Sequence, residues 1–297
     1  MNNTRKINQL YGWGNFHGEA IIPGEHTDAL KISIVVPTLN QGTTIEDTLL
    51  SIVNQMDKNY EIIVIDGGST DDTPDIIAQY KKYIAHYESR KDNGQSDAIN
   101  KGFRHAKGDI YAWLNSDDYY LPGAFHAVRN AFRENQNVDI VVGSGDVVTR
   151  DCQFLKQIDS LKMERDILLG WHNDQWIMQQ CCFWTKGIWD RCRGVDENLH
   201  LLMDYDLWLR FADAGESVAI DNRVAIMRYY EDTKTIAMRN TMKEEEAYVY
   251  AKNHAFIKLR SMVKELCICN EQQAAKVISY ENHFITRLLK RINLIKT

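Results

Sequence analysis

A chain of 297 residues, 44% hydrophobic and 26% charged, can bury a substantial core and excludes wholesale disorder. Its formal net charge of −6 argues against a nucleic-acid binder, which needs a basic footprint. It also means that a phosphate-bearing ligand requires local cations or a metal.

In chain order, "ISIVV" (32–36) is a β-branched apolar run halted by Pro37, the pattern of a buried parallel strand. After the loop "TLNQG", Thr43 and Glu46 form a capping-box signature ahead of a helix whose apolar face is Ile45, Leu49, Ile52 and Val53. "EIIVI" (61–65) is the second strand. It runs into "DGGSTDDTP", where Thr73 and Pro74 open a further helix. "YIAHYE" (83–88) is the third strand. Residues 97–107 read as a helix stopped by Gly108, "DIYAWL" (109–114) as the fourth strand, and "VDIVVG" (138–143) as the fifth after a helix from Pro122.

This alternation predicts a mostly parallel α/β sheet with helices on both faces. Ligands bind such sheets outside the carboxyl ends of the strands. Asn40, Asp66 and Asp117 each lie just past a strand end, so three polar groups converge on one edge. The fourth strand runs into "WLNSDDYYLP" (113–122), where Asp117 and Asp118 are adjacent. Two such charges demand a cation, a hydrogen-bonded loop or exposure to water. No glycine-rich dinucleotide fingerprint follows the first strand and no P-loop occurs, which lowers both of those readings.

Beyond residue 150 the rhythm weakens, with one helical pattern in "DYDLWLRFADAG", and from Lys243 the chain reads as helix. Asp204 and Asp206 are two apart on that helix and point to nearly opposite sides. Asp206 pairs with Arg210 at i, i+4 as a solvated structural pair. Asp204 shares the face of Leu207, Trp208 and Phe211, where lost solvent raises a carboxyl pKa and makes a better base.

The six cysteines include no Cys-x-x-Cys pair and read as reduced, mostly buried thiols of a cytosolic protein. The N-terminus lacks the apolar core of a secretory signal, and no run of about 18 apolar residues exists. A soluble, cytoplasmic protein is expected.

Four segments in order, "ISIVVPTLNQG", "EIIVIDGGSTDDT", "DNGQSDAINKGFRHAKGDIYAWLNSDD" and "GVDENLHLLMDYDLWLRFADAG", together resemble glycosyltransferase family 2 on the GT-A fold. The resemblance covers roughly residues 31–240. It implies a GT-A-type, Rossmann-like sheet with a C-terminal helical extension. The implied divisions are an N-terminal extension (1–30), a nucleotide-sugar-binding half (31–149), an acceptor and catalytic-base half (150–240) and a helical segment (241–297).

Carried over residue by residue, Asp66 recognises a pyrimidine base and Pro37, Thr38 and Asn40 line the nucleotide pocket. Asn115 stands at the family's first acidic position, Asp117 is the metal ligand for Mg²⁺ or Mn²⁺, and Asp118 orients the donor sugar or a metal-bound water. Asp97 contacts ribose or donor sugar, or is simply a helix N-terminal acid. Asp204 is the catalytic base. The implied reaction is inverting transfer from a nucleotide-sugar, UDP by default and dTDP as the other pyrimidine donor, to a glycan or lipid-linked acceptor in surface polysaccharide or glycoconjugate synthesis. One departure is Tyr230 in "RYYEDTKT" (228–235), where the family often carries His; Lys234 and Thr235 remain for phosphate. It keeps open a catalytically silent nucleotide-sugar binder.

Among weaker signals, His172 and Asp174 are more simply loop residues than a metal pair. Gln179, Gln180 and Trp184 match an acceptor region, with core packing as the alternative. The basic C-terminal stretch "FITRLLKRINLIKT" either packs as an ordinary helix or lies on an anionic membrane.

Overall fold

The computed structural model describes residues 30–55, 59–170, 176–230, 239–265, 267–268 and 272. The chain divides into two compact units, residues 1–245 and 246–297. The expectations for the N-terminal extension, His172, Asp174, Lys234, Thr235 and the basic C-terminal stretch lie outside the described residues.

The first unit is built on a nine-stranded sheet of order β3-β2-β1-β4-β8-β6-β9-β5, with β7 paired to β6. Strands β1 (Ile32–Thr38), β2 (Tyr60–Asp66), β3 (Ile84–Ser89) and β4 (Ile110–Trp113) are all parallel, as their apolar runs require. β1 does not stop at Pro37, which stays in register with Ile65. The other half is mixed. β8 (Cys182–Thr185) lies antiparallel between β4 and β6 (Ile140–Thr149). β9 (Ser217–Tyr229) runs parallel to β6 and antiparallel to β5 (Tyr119–Tyr120), and β7 (Phe154–Ile158) is an exposed antiparallel edge.

Side-chain alternation divides the sheet between two cores. Ile32, Ile34, Val36, Ile62 and Val64 pack with Ile45, Leu49 and Ile52 of α1 (Ile45–Val53) and Phe125, Val128 and Phe132 of α4 (Ala124–Glu134). α3 (Gln95–His105) covers the opposite face of β1 and β2. It comes so close that a Cβ at Gly102 would stand 2.4 Å from Val35 Cγ1. Beside it is an aromatic core of Phe103, Tyr111, Trp113, Trp184, Trp189, Trp208 and Phe211. The Thr43–Glu46 capping box expected ahead of α1 does not form: Thr44 is the cap residue and makes no side-chain cap bond. The Thr44 hydroxyl bonds Gln41 instead. α2 (Thr73–Gln79) carries Pro74 in its first turn. Further α-helices among the described residues of this unit are α5 (Arg165–Leu168), α6 (Lys186–Cys192) and α7 (Met203–Ala214). α8 (Arg239–Lys252) spans the boundary between the units.

Candidate active site

The loops that follow β1 and β2 are cross-linked. Asp66 is fully buried; its Oδ1 accepts from the Ser69 N–H and hydroxyl, and its Oδ2 from the Ser89 hydroxyl at 2.6 Å. The Ser69 hydroxyl in turn accepts from the Asn40 N–H, and the Asn40 side-chain Oδ1 accepts from the Thr70 N–H. Asn40 sits exposed in the left-handed region (φ 52°), a conformation Asn tolerates. Asp66 and Asn40 therefore shape one loop through Ser69, and neither Ser69 nor Ser89 stood out in the sequence. Pro37 and Thr38 end β1 at this edge, with the Thr38 hydroxyl buried and unpartnered among the described residues.

The acidic pair lies in the turn between β4 and β5. Asp118 is 3% exposed. Its Oδ1 accepts from the Arg228 N–H of β9 at 3.1 Å, and its Oδ2 from the Gln180 and Asn115 amides. Burial and the neighbouring Asp117 charge raise its pKa well above the ordinary value. Asp118 is thus held by the protein as a tie between β9, Gln180 and the turn. Gln180 and Gln179, which reaches the Trp113 carbonyl, are buried ties, and Trp184 is core. Asp117 stays partly exposed. Its charge reaches Tyr230, whose pKa rises through burial first and Asp117 second. A hard divalent cation fits these surroundings, since one carboxylate with donor phosphates is a common Mg²⁺ ligand set. Asp117 would hold it.

A chain of contacts carries the edge onward from this turn. Asn115 Oδ1 accepts from Gln95 Nε2 of α3 at 2.8 Å. The next residue, Ser96, donates to the Leu199 carbonyl at 2.6 Å, and Asn100 bonds both backbone groups of Val195. Trp113, at the end of β4, stacks on Trp208 of α7 with centroids 5.8 Å apart. The segment leading into α7 is thereby fastened beside the acidic turn. Asp204, in the first turn of α7, has its pKa pushed up to about 6 by loss of solvent, with a lesser contribution from the charge of Glu245. Asp97 is an internal tie, accepting from the Asn93 N–H and from Lys101, and these bonds overcome its desolvation to lower its pKa.

One expectation on α7 is corrected. Asp206 is not solvated but fully buried, clamped by Arg210 Nε and Nη2 while Arg210 Nη1 donates to the carbonyls of Cys192 and Gly194. Its face looks into α6, a packing the sequence spacing did not reveal.

A second group of ligating atoms lies between β3 and the end of α3. His86, Glu88 and His105 each bring one within 4.8 Å of the others, enough to hold a metal ion. The two imidazoles are stacked at 3.6 Å and Arg90 pairs with Glu88, so one ring must turn before both could share an ion. Among the described residues no helix is long and apolar enough to cross a membrane.

A mixed sheet with polar loops gathered at the carboxyl ends of its first strands forms a ligand crevice at that edge. The family model described as "Glycosyl transferase family 2" matches residues 33–190, just over half of the chain. The chain belongs to glycosyltransferase family 2. It is similar to an uncharacterised glycosyltransferase of Rickettsia typhi, 29% identical over 75% of this chain and 71% of the relative. It also resembles a PGL/p-HBAD biosynthesis glycosyltransferase of Mycobacterium bovis, 29% identical over 68% and 78%.

Among solved structures, Staphylococcus aureus TarS 1–349 in complex with UDP-GlcNAc superposes with a TM-score of 0.63, at 15% identity over 79% of this chain and 72% of that one. A Pyrobaculum calidifontis mannosyltransferase in complex with GDP-Man and Mn²⁺ gives 0.57, at 15% identity over 95% and 88%. At these identities the likeness establishes the shared GT-A fold.

Proposed function

We propose that this glycosyltransferase is inverting and transfers a sugar from a UDP-sugar to a hydroxyl of a glycan or lipid-linked saccharide, in the synthesis of a surface polysaccharide or glycoconjugate. The observation that carries the reading is Asp204, a carboxylate raised to a pKa of about 6 in a segment fastened by Ser96 to the helix that also holds Asn115. At neutral pH such a group is ionised yet basic enough to take a proton, which suits a general base. Asp204 removes the proton of the acceptor hydroxyl, whose oxygen attacks the anomeric carbon as the nucleoside diphosphate departs from the opposite face. The loop shaped by Asp66 and Asn40 seats the pyrimidine, with Pro37 and Thr38 as its floor. When bound at Asp117, Mg²⁺ or Mn²⁺ supplies Lewis-acid neutralisation of the diphosphate.

The UDP-GlcNAc and Mn²⁺ named in the structures of the two neighbours support this donor chemistry, and the mycobacterial relative's place in PGL/p-HBAD biosynthesis supports a glycolipid-like acceptor. We infer that the reaction takes place at the inner face of the cell membrane, where a lipid-linked acceptor of that kind would lie. Tyr230, standing where the family often carries His, favours a second reading, a silent nucleotide-sugar binder.

Calorimetric titration of UDP with and without Mn²⁺, into the wild type and Asp117→Ala, tests the donor site. Metal-dependent binding lost in the variant is expected, and binding indifferent to both metal and Asp117 overturns the metal assignment. Assay of UDP-sugars with lipid-linked acceptors then separates the two readings, since the silent binder forms no glycosidic product.

A further inference from the structure

Glu245 lies outside every motif discussed so far, in α8 and at the last position of the first unit. It is 7% exposed. One carboxylate oxygen accepts from the N–H of His200 at 2.8 Å, and the other from the N–H groups of Leu201 and Leu202, both at 2.9 Å. These are the residues that lead into α7, whose N-terminal end attracts an anion. A carboxylate from elsewhere in the chain therefore gathers three consecutive N–H groups of the approach to α7, the last of them two residues from Asp204.

We infer that Glu245 is a positioning residue for the base: it fixes the backbone from which Asp204 projects and holds a negative charge beside it. The inference rests on Asp204 being the base. Both effects have one direction. Three charge-assisted bonds restrict the 200–202 backbone, so the carboxylate of Asp204 presents one geometry rather than several. The charge of Glu245 opposes ionisation of Asp204 and adds to its basicity.

Few other groups act there. Asp204 Oδ1 accepts from the Tyr205 N–H, and the buried Cys182 thiol of β8 faces it in neutral form, its own pKa raised by burial, by Cys181 and by Asp204. Asp206 is turned to Arg210, Arg165 of α5 is paired with Asp213, and Arg191 of α6 with Asp139. No cation among these described groups competes with Glu245 for the base.

The test compares Glu245→Gln, Glu245→Asp and Asp204→Asn in the full chain, reading the pH dependence of kcat/KM, kcat itself and UDP affinity. Glu245→Gln keeps size but loses the charge. It is expected to lower kcat roughly tenfold to a hundredfold and to move the acid limb to lower pH by about half a unit, with UDP affinity unchanged. Glu245→Asp keeps the charge at shorter reach, so kcat falls while the limb stays. A Glu245→Gln enzyme with wild-type kcat and an unmoved limb overturns the inference while Asp204→Asn is inactive. Should the Gln variant fail to fold, wild-type kcat in Glu245→Asp overturns it equally. Wild-type turnover in Asp204→Asn is a different failure: it removes the base assignment itself, whatever Glu245 does.

Discussion

Arg228 is the most consequential charge in the core. Its guanidinium pairs with Asp47 of α1, and the two side chains are 0% and 6% exposed. Burial alone would favour its neutral form, but Asp47, Tyr119 and Tyr230 together raise its pKa, so it stays charged. It also lies over the Tyr119 ring at 5.0 Å. Removing one member of such a pair strands the other as a buried, uncompensated charge, at about 3–5 kcal/mol. Arg228→Met is therefore expected to lose that much in urea unfolding followed by tryptophan fluorescence, for which the fully buried Trp113, Trp184 and Trp208 are suited. Adding Asp47→Leu removes the stranded charge, and the double variant should regain at least about half of the loss, since apolar replacements of buried pairs are often near neutral. The bond from the Arg228 N–H to Asp118 belongs to the backbone and survives both substitutions, so the folded variants should still bind UDP. A loss below about 1 kcal/mol, the value of an exposed pair, would refute the placement of this pair in the core.

Asp204→Asn should be inactive yet more stable. The folded carboxyl titrates at about 6 against an ordinary 3.8, so its ionisation opposes folding; that cost is full above pH 6 and fades as pH falls towards 4. The variant should gain up to about 3 kcal/mol at pH 7 and only about half a kcal/mol near pH 4, and an equal gain at both pH values counts against a raised pKa. Gly102→Ala places a Cβ 2.4 and 2.8 Å from the two Val35 methyls. It should cost about 1–3 kcal/mol by overpacking, part of it recovered by Val35→Ala, as chemical denaturation would show. A thiol reagent should label exposed Cys267 quickly in the native protein and reach buried Cys181 and Cys182 only on unfolding; rapid native labelling of either would contradict their position in the core.

The parallel half of the sheet was legible because its strands are buried on both faces, so apolar runs such as "EIIVI" carry the signal without periodicity. The antiparallel half was not. Gly143 and Gly145 look like the end of a strand, yet β6 passes through both. The reason is close approach: a Cβ at Gly143 would stand 2.5 Å from Val224 and one at Gly145 2.7 Å from Cys181. β9 hid for a different reason, since only its second half is buried and its first seven residues are partly or fully exposed. Asp206 was misjudged because i, i+4 spacing specifies a partner for a carboxylate and says nothing about what covers the pair.

One sign of how the acidic turn is held was present and unread. Asp47, Thr48, Ser51 and Gln55 recur at helical spacing on α1 and just beyond its end, and all four are buried. A buried polar stripe must find partners. Thr48 donates to the Asp118 carbonyl, Ser51 accepts from the Tyr120 N–H, Gln55 donates to the Leu121 carbonyl, and Asp47 takes Arg228. α1 therefore supports the segment 118–121 as a frame, while Gln180, Asn115 and the Arg228 N–H donate to the Asp118 carboxylate. The two adjacent carboxylates thus differ in surroundings: Asp118 is buried among its hydrogen-bond partners, and Asp117 is partly exposed.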